Sequence, residues 1–153
     1  MLQVFHNLNR GVLMFKDFYD VLIENLSNYE GVYASFIDYG PKLFRLLCDL
    51  FEEESITEDD RLKLSAAISY FIIPTDIIPE QVHGPYGYID DIFIIVYVLR
   101  KIADTYGYDL LQKTYLGFEN IQEVMDECFE NSLDVLSEKQ INSILSYVGL
   151  NKK

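Results

Sequence analysis

Apolar residues recur every three or four positions along most of the chain, which is the spacing expected for the buried face of an α-helix. Near the N-terminus this spacing predicts a helix with apolar positions Phe15, Phe18, Leu22 and Leu26. A second helix is predicted to open at Pro41, because proline is favoured in the first helical turn, and to continue to Phe51. No alternation of apolar and polar residues is long enough for a β-strand, so the pattern predicts an all-α protein.

Capping residues and helix breakers divide the rest of the chain into further helices. Thr57 and Asp60 form a predicted N-terminal cap for a helix at 62–73, and Pro74 ends that helix because its ring clashes with the preceding turn. The remaining predicted helices cover roughly 90–105, 119–136 and 137–149. Gly107 is predicted to end the first of them, and Ser137 is predicted to cap the last. We therefore expect one domain over residues 1–153, an irregular bundle of about six or seven helices around a proline-bent helical hairpin with its core at 57–105.

Composition and charge narrow the possible partners. Half of the residues are hydrophobic, 50%, which favours a real core over disorder. The 12 basic and 25 acidic side chains give a net charge of −13, which disfavours nucleic acid and anionic membranes as direct partners and allows a basic protein partner. Cys48 and Cys128 fall on apolar helix faces, and the N-terminus lacks a signal-peptide pattern. A cytoplasmic location is expected, and no motif for an organic cofactor occurs.

Two prolines and several carboxylates interrupt the apolar run at the centre of the chain, in the segments 74–80 and 86–91. Architecture explains them if prolines bend the chain and carboxylates cap backbone amides; this structural motif comprises Pro74, Asp76, Pro79, Gly87, Asp90 and Asp91. Convergent carboxylates would instead bind a divalent cation, Mg²⁺ or Ca²⁺. The predicted metal ligands are Asp76, Glu80, Asp90 and Asp91, with His83 nearby. Capping is the leading interpretation, and a metal or catalytic site is the alternative.

The same segments, Tyr70–Glu80 followed by Gly87–Asp91, resemble the signature of the YkvA-like domain of unknown function. That signature is an apolar helix, Pro-x-Asp-Leu-Ile-Pro-Asp, a short turn with glycine, and Asp-Asp at the start of a second apolar helix. The resemblance extends over roughly residues 63–102 and departs from the pattern at Thr75 and Glu80. It implies a helical hairpin without an established activity. Because some members of the family are associated with membranes, it also allows a hairpin that enters the bilayer.

A second informative feature is an acidic stripe on the predicted helix 119–138. Its members fall within an arc of about 120°, and they are Glu119, Glu123, Asp126, Glu127, Glu130, Asp134 and Glu138. The opposite side carries Ile121, Val124, Met125, Cys128, Phe129, Val135 and Leu136. Like charges four residues apart destabilise a helix by about 0.2–0.5 kcal/mol per pair. No Lys or Arg occurs between Lys113 and Lys139 to neutralise the stripe. The stripe is either a solvated face or a docking surface for a basic partner.

These observations leave three functional hypotheses. The leading one is a non-enzymatic regulatory or interaction protein, similar in kind to an inhibitor or antitoxin, that binds a basic protein partner through the stripe. The first alternative is a metal-dependent enzyme or ion-binding protein that uses the predicted ligands Asp76, Glu80, Asp90 and Asp91. The second is a peripheral membrane protein whose apolar hairpin enters the bilayer.

Overall fold

Residues 35–72, 89–147 and 149–150 are described by the structure, a computed structural model, and within these ranges it contains helices and no β-strand. The prediction of an all-α bundle is confirmed. A 3-10 helix at Ser35–Tyr39 precedes the α-helices. They are α1 (Gly40–Phe51), α2 (Glu58–Ile72), α3 (Ile89–Tyr106), α4 (Tyr108–Thr114), α5 (Ile121–Val135) and α6 (Glu138–Tyr147). The predicted N-terminal helix at 15–26 and the proline corner at 73–88 lie outside the described residues.

Helix α3 is the centre of the bundle. It packs against α1, α2, α4, α5 and α6, and most extensively against α5. A helix that is apolar around its whole circumference must be covered on all sides. The apolar segment 92–99 of α3 is covered in this way, whereas the polar positions 104–105 near its end are exposed. The fully buried side chains of the helix include Ile92, Phe93, Ile94, Ile95, Val96, Val98, Leu99 and Ile102. In the part of the chain that the structure describes, no helix combines the length and apolarity needed to cross a membrane.

The predicted hairpin partners, α2 and α3, pack against each other. Their ends away from the corner are joined by a hydrogen-bond network around Tyr106. The Tyr106 hydroxyl donates to Asp60 Oδ2 at 2.8 Å and accepts from the Thr57 amide at 2.9 Å. Thr57 Oγ1 in turn accepts from the Asp60 amide at 3.3 Å, which confirms the predicted cap of this helix. The network therefore holds the start of α2 against the end of α3.

Arg61 closes the connection between α1 and α2. Its guanidinium donates to the carbonyl oxygens of Phe51, Glu53 and Ile56 at 2.7, 3.3 and 3.0 Å. The last carbonyls of a helix lack partners within the helix, and a cation at this end is also favoured by the helix dipole. Arg61 thus fixes the end of α1 and the loop that follows it.

The helix ends agree with those predicted from proline, glycine and capping residues, but one helix was not predicted. Pro41 lies in the first turn of α1, and Gly107, at φ 91°, separates α3 from α4. Ser137 and Gln140 form a reciprocal capping box at α6, with bonds of 3.1 and 2.8 Å. The seven-residue helix α4 was not predicted, because two turns are too short for apolar periodicity to be evident.

The Tyr106 network makes the stability of the protein depend on pH. Burial alone would raise the pKa of Asp60, but hydrogen bonds from Tyr106, Lys63 and Thr57 outweigh burial and hold this pKa below its usual value. A carboxyl with a lowered pKa in the folded state stabilises the fold above the unfolded pKa of about 3.9, and this contribution is lost as the pH falls.

We predict that Tyr106→Phe raises the pKa of Asp60 and makes the loss of stability in acid shallower. At neutral pH the free energy of unfolding should fall by about 0.5–1.5 kcal/mol, the value of one ordinary hydrogen bond. Urea unfolding at several pH values, with NMR titration of the Asp60 carboxyl, measures both effects. Tyr97→Phe is the control, since its hydroxyl has no hydrogen-bond partner among the described residues. The prediction would be contradicted if the free energy of unfolding fell in the same way with decreasing pH for the original protein, Tyr106→Phe and Tyr97→Phe.

Candidate functional site

The first turn of α3 contains two aspartates with fully buried side chains, Asp90 and Asp91, each 0% exposed. Asp90 Oδ2 accepts from the Tyr70 hydroxyl of α2 at 3.0 Å, and its Oδ1 accepts from the Asp91 amide at 3.1 Å. The helix dipole also favours negative charge at this end. Asp90 therefore connects the last turn of α2 to the first turn of α3, as a buried carboxyl group that accepts hydrogen bonds from the protein.

Tyr70 was not predicted as a site residue, although its chemistry gives a signal. A tyrosine within an apolar helix is buried with its ring in the core, so its hydroxyl requires a polar partner nearby. Tyr70 is 3% exposed, and that partner is Asp90, twenty residues later in the chain. Sequence spacing alone does not reveal this pairing, because it depends on how α2 and α3 meet.

The predicted metal cluster is only partly described. Asp76, Glu80 and His83 lie outside the described residues, as do Pro74, Pro79 and Gly87 of the structural motif. Among residues 35–72, 89–147 and 149–150, no group of three or more His, Cys, Asp or Glu side chains is arranged to hold a metal ion. The four-carboxylate site thus stays a prediction, as does the capping role of the whole motif.

The acidic stripe is divided between three elements. Helix α5 begins at Ile121, because the Asn120 side chain accepts from the Glu123 amide at 3.0 Å and caps the helix. Glu119 therefore lies in the preceding loop, and Glu138 opens α6. The prediction that one helix carries all of the acidic residues was wrong at both ends. Five of them lie on α5, and they are Glu123, Asp126, Glu127, Glu130 and Asp134.

One of these five carboxylates is paired within the protein. Asp126 Oδ1 lies 3.6 Å from Arg100 of α3, and the same guanidinium lies 4.1 Å from the centre of the Phe129 ring. The other four are exposed, and no Lys or Arg of the described ranges forms an ion pair with them. We call this set the acidic face; it consists of Glu123, Glu127, Glu130 and Asp134.

The buried side of α5 also differs from the predicted one at two positions. Val135, the last residue of the helix, was predicted on the buried side but is 48% exposed. Ser132 is instead fully buried. The other predicted apolar positions lie towards the core, with Ile121, Val124, Met125, Cys128 and Leu136 buried and Phe129 partly buried.

The cysteines have the predicted character of small apolar residues. Cys48 and Cys128 are both buried, and they form no disulfide with each other. Burial raises the pKa of the Cys128 thiol to about 12, with a smaller contribution from the nearby charge of Glu127. At neutral pH this side chain is a thiol, whereas a cysteine nucleophile requires the thiolate.

Comparison with known proteins finds a family model and a curated relative that match this chain. The family model described as "Protein of unknown function (DUF1232)" matches residues 60–97, which include most of α2 and the first half of α3. The chain is 35% identical over 127 residues to "Uncharacterized protein ORF9" of Methanothermobacter thermautotrophicus, which covers 83% of this chain and 86% of the relative. No solved structure matches the chain.

We predict that Tyr70→Phe lowers the free energy of unfolding by about 1–3 kcal/mol, since it removes a donor from a buried carboxylate. Urea denaturation at neutral pH measures the change. Tyr97→Phe is the matched control, because it also removes one tyrosine hydroxyl but leaves no buried acceptor without its donor. Equal stability of the two variants would show that the Tyr70–Asp90 bond does not hold α2 and α3 together.

Proposed function

This chain belongs to the DUF1232 family of proteins of unknown function, and we propose that it is a non-enzymatic interaction protein. The exposed carboxylates of the protein support a basic protein as its partner. The acidic face of α5 is the proposed binding surface. The supporting observation is the exposure of four carboxylates on one helix, none of which has a cationic partner within the described ranges.

The spacing of the carboxylates on α5 raises the free energy of the unbound protein. Three pairs of like charge are four residues apart in this helix, namely 123/127, 126/130 and 130/134. Each pair destabilises a helix by about 0.2–0.5 kcal/mol at low salt. A partner that places Lys or Arg between these carboxylates removes the repulsion, so binding and helix stability are coupled.

A second group of seven acidic residues lies at 49–60, around the junction of α1 and α2. It is less suited to this role, because three of its carboxylates have partners inside the protein and the four others are divided between the connecting loop and the start of α2. Asp49 pairs with Arg45 at 3.3 Å, and Asp60 pairs with Lys63 at 3.2 Å. Glu53 Oε2 accepts from the Ser55 hydroxyl at 3.4 Å. The acidic face of α5 therefore offers more unneutralised charge on a single rigid element.

The geometry of the face restricts the partner. From Glu123 to Asp134 the carboxylates extend over about 16 Å of helix, at a rise of about 1.5 Å per residue. The partner should carry a row of basic side chains of similar length, as a groove that binds a phosphate backbone does. Occupation of such a groove by carboxylates would compete with nucleic acid for the same side chains, which is the action of an inhibitor. The reduced, buried cysteines agree with a cytoplasmic location for this role.

We predict that replacing the acidic face weakens binding of a synthetic oligolysine peptide by about tenfold at low salt. The variant combines Glu123→Gln, Glu127→Gln, Glu130→Gln and Asp134→Asn. The control variant removes the same charge elsewhere and combines Glu52→Gln, Glu54→Gln, Glu58→Gln and Asp59→Asn, all of which are exposed. Isothermal titration over a series of salt concentrations measures both affinities. If the two variants lose affinity equally, only net charge matters and the face is not a preferred surface.

The second candidate function is binding of a divalent cation at the corner. It is favoured by the burial of two adjacent carboxylates, Asp90 and Asp91, since like charges in a buried site repel and a hard cation relieves that repulsion. Asp76 and Glu80 are the predicted further ligands.

For this candidate, the expected result is a higher melting temperature with Mg²⁺ or Ca²⁺ than with EDTA, because a ligand that binds the folded state stabilises it. Asp91→Asn should abolish the difference while the protein still melts cooperatively. Unchanged melting of the original protein across EDTA, Mg²⁺ and Ca²⁺ would exclude the cation site.

Flotation with liposomes tests the membrane alternative. Protein that floats with the liposomes would support it, and protein that stays unbound would exclude it.

A further inference from the structure

The loop between α4 and α5, residues 115–120, exposes two large apolar side chains directly before the helix that carries the acidic face. Phe118 is fully exposed, at 101%, and Leu116 is 53% exposed. Burying a Phe side chain is worth about 1.5–3 kcal/mol, so a sequence under selection for stability alone has little reason to place it here. Phe118 immediately precedes Glu119 and lies five residues before Glu123, the first member of the acidic face.

The loop is held in place by the side chain of Gln112. Its Nε2 donates to the Glu119 carbonyl at 3.1 Å, and its Oε1 accepts from the Ile121 amide at 2.8 Å. Asn120 caps α5 at the same point. These bonds tie residues 119–121, which directly follow Phe118, to α4 and to the start of α5. The exposed phenylalanine is therefore attached to a fixed segment of backbone.

Tyr115 holds the other side of the loop. It is buried, at 6% exposed, and its hydroxyl donates to Glu119 Oε1 at 2.9 Å. Hydrogen bonds from its own backbone amide and from Tyr115 hold the pKa of Glu119 below its usual value, so this carboxylate is charged at neutral pH. At Gly117 any Cβ would collide with the Tyr115 ring and the Glu119 carboxylate, so the loop requires glycine there to close.

We propose that Phe118, together with Leu116, is a preorganised apolar anchor that inserts between side chains of a basic amphipathic helix in the partner protein. The inference rests on the proposed function, since it assigns the partner's basic residues to the acidic face and adds an apolar stripe to them. A rigid loop loses little conformational entropy on binding, which favours affinity. Binding hot spots are typically aromatic residues surrounded by polar contacts, which is the arrangement here.

A helix fits this surface because a single projecting side chain packs into the hole between four residues of a facing helix. Its lysines or arginines would then meet Glu119 and the acidic face beyond it. A second copy of this chain is a poorer occupant, because two molecules of charge −13 repel each other. An anionic membrane is disfavoured for the same reason.

The test uses a synthetic peptide of about 18 residues in which leucine repeats at helical spacing and lysine fills the other positions. A second peptide has alanine in place of every leucine and keeps all of the lysines. Phe118→Ala should weaken binding of the leucine peptide by about tenfold or more and leave binding of the alanine peptide unchanged. The matched control is Leu62→Ala, since Leu62 is 67% exposed on α2, and it should change affinity by less than about twofold. Equal affinities of the two variants for the leucine peptide would overturn the proposal.

A spectroscopic arm reports directly on the side chain. The chain contains no tryptophan, so Phe118→Trp places a single indole at the proposed anchor. Its emission should be that of a hydrated indole in the free protein and should shift to shorter wavelength with the leucine peptide. An emission that does not shift when the peptide saturates the protein would overturn the inference.

Failure of the anchor and failure of the acidic face can be told apart. If the charge variant of the face weakens binding and Phe118→Ala does not, the proposed function holds and the anchor falls. If Phe118→Ala alone weakens binding, the anchor holds and the face falls. Two other outcomes would assign the anchor to a different occupant and overturn the proposal. One is a concentration-dependent dimer that Phe118→Ala abolishes. The other is a shift of the indole emission with phosphatidylserine vesicles and no shift with the peptide.

Discussion

The structure depends on the burial of a carboxylate between two apolar helices. Asp90 lies at the start of α3 with no exposed surface, and the Tyr70 hydroxyl of α2 donates to it. An unsatisfied buried carboxylate would be far more costly than the value of one bond, so the pair restricts how α2 and α3 can meet. At the opposite end of the hairpin, Tyr106 and Asp60 impose a second restriction of the same kind. The two tyrosine–aspartate bonds thus fix the direction of α3, around which the other helices pack.

A fixed α3 also fixes the outer surface of the protein. Helix α5 packs on α3 with one side, and the Arg100–Asp126 pair joins them at the border of that interface. The acidic face consequently points away from the core, and its carboxylates lie on a helix that is held in place by α3. The loop before α5 is tied to α4 by Gln112, so the exposed Phe118 has a defined position relative to the carboxylates. We infer that the hairpin supplies the architecture and that α5 with its preceding loop supplies recognition.

Local rules account for what the sequence predicted well. Pro41, Thr57, Gly107 and Ser137 mark helix ends by their own backbone preferences or by bonds to residues nearby in the chain, and the structure confirms each. The family resemblance at the hairpin is likewise confirmed, because it rests on a continuous motif. These signals are carried by short segments and survive without knowledge of the tertiary structure.

Non-local contacts account for what the sequence could not predict. The pairing of Asp126 with Arg100 removes one carboxylate from the predicted stripe, and it depends on the packing of α3 against α5. The role of Asn120 as a cap separates Glu119 from the helix, although its position next to an apolar run was visible in the sequence. Nothing in the pattern distinguishes Phe118 from a core phenylalanine, because exposure is a property of the folded chain.

The most direct test is an NMR map of the isotope-labelled protein titrated with the leucine–lysine peptide. We predict that chemical-shift changes at saturation concentrate on residues 115–120 and on the acidic face of α5, while the amides of α2 and of the 52–60 region stay unchanged. Changes centred on residues 52–60, or spread evenly over all acidic residues, would contradict the claim that α5 and its loop form the recognition surface.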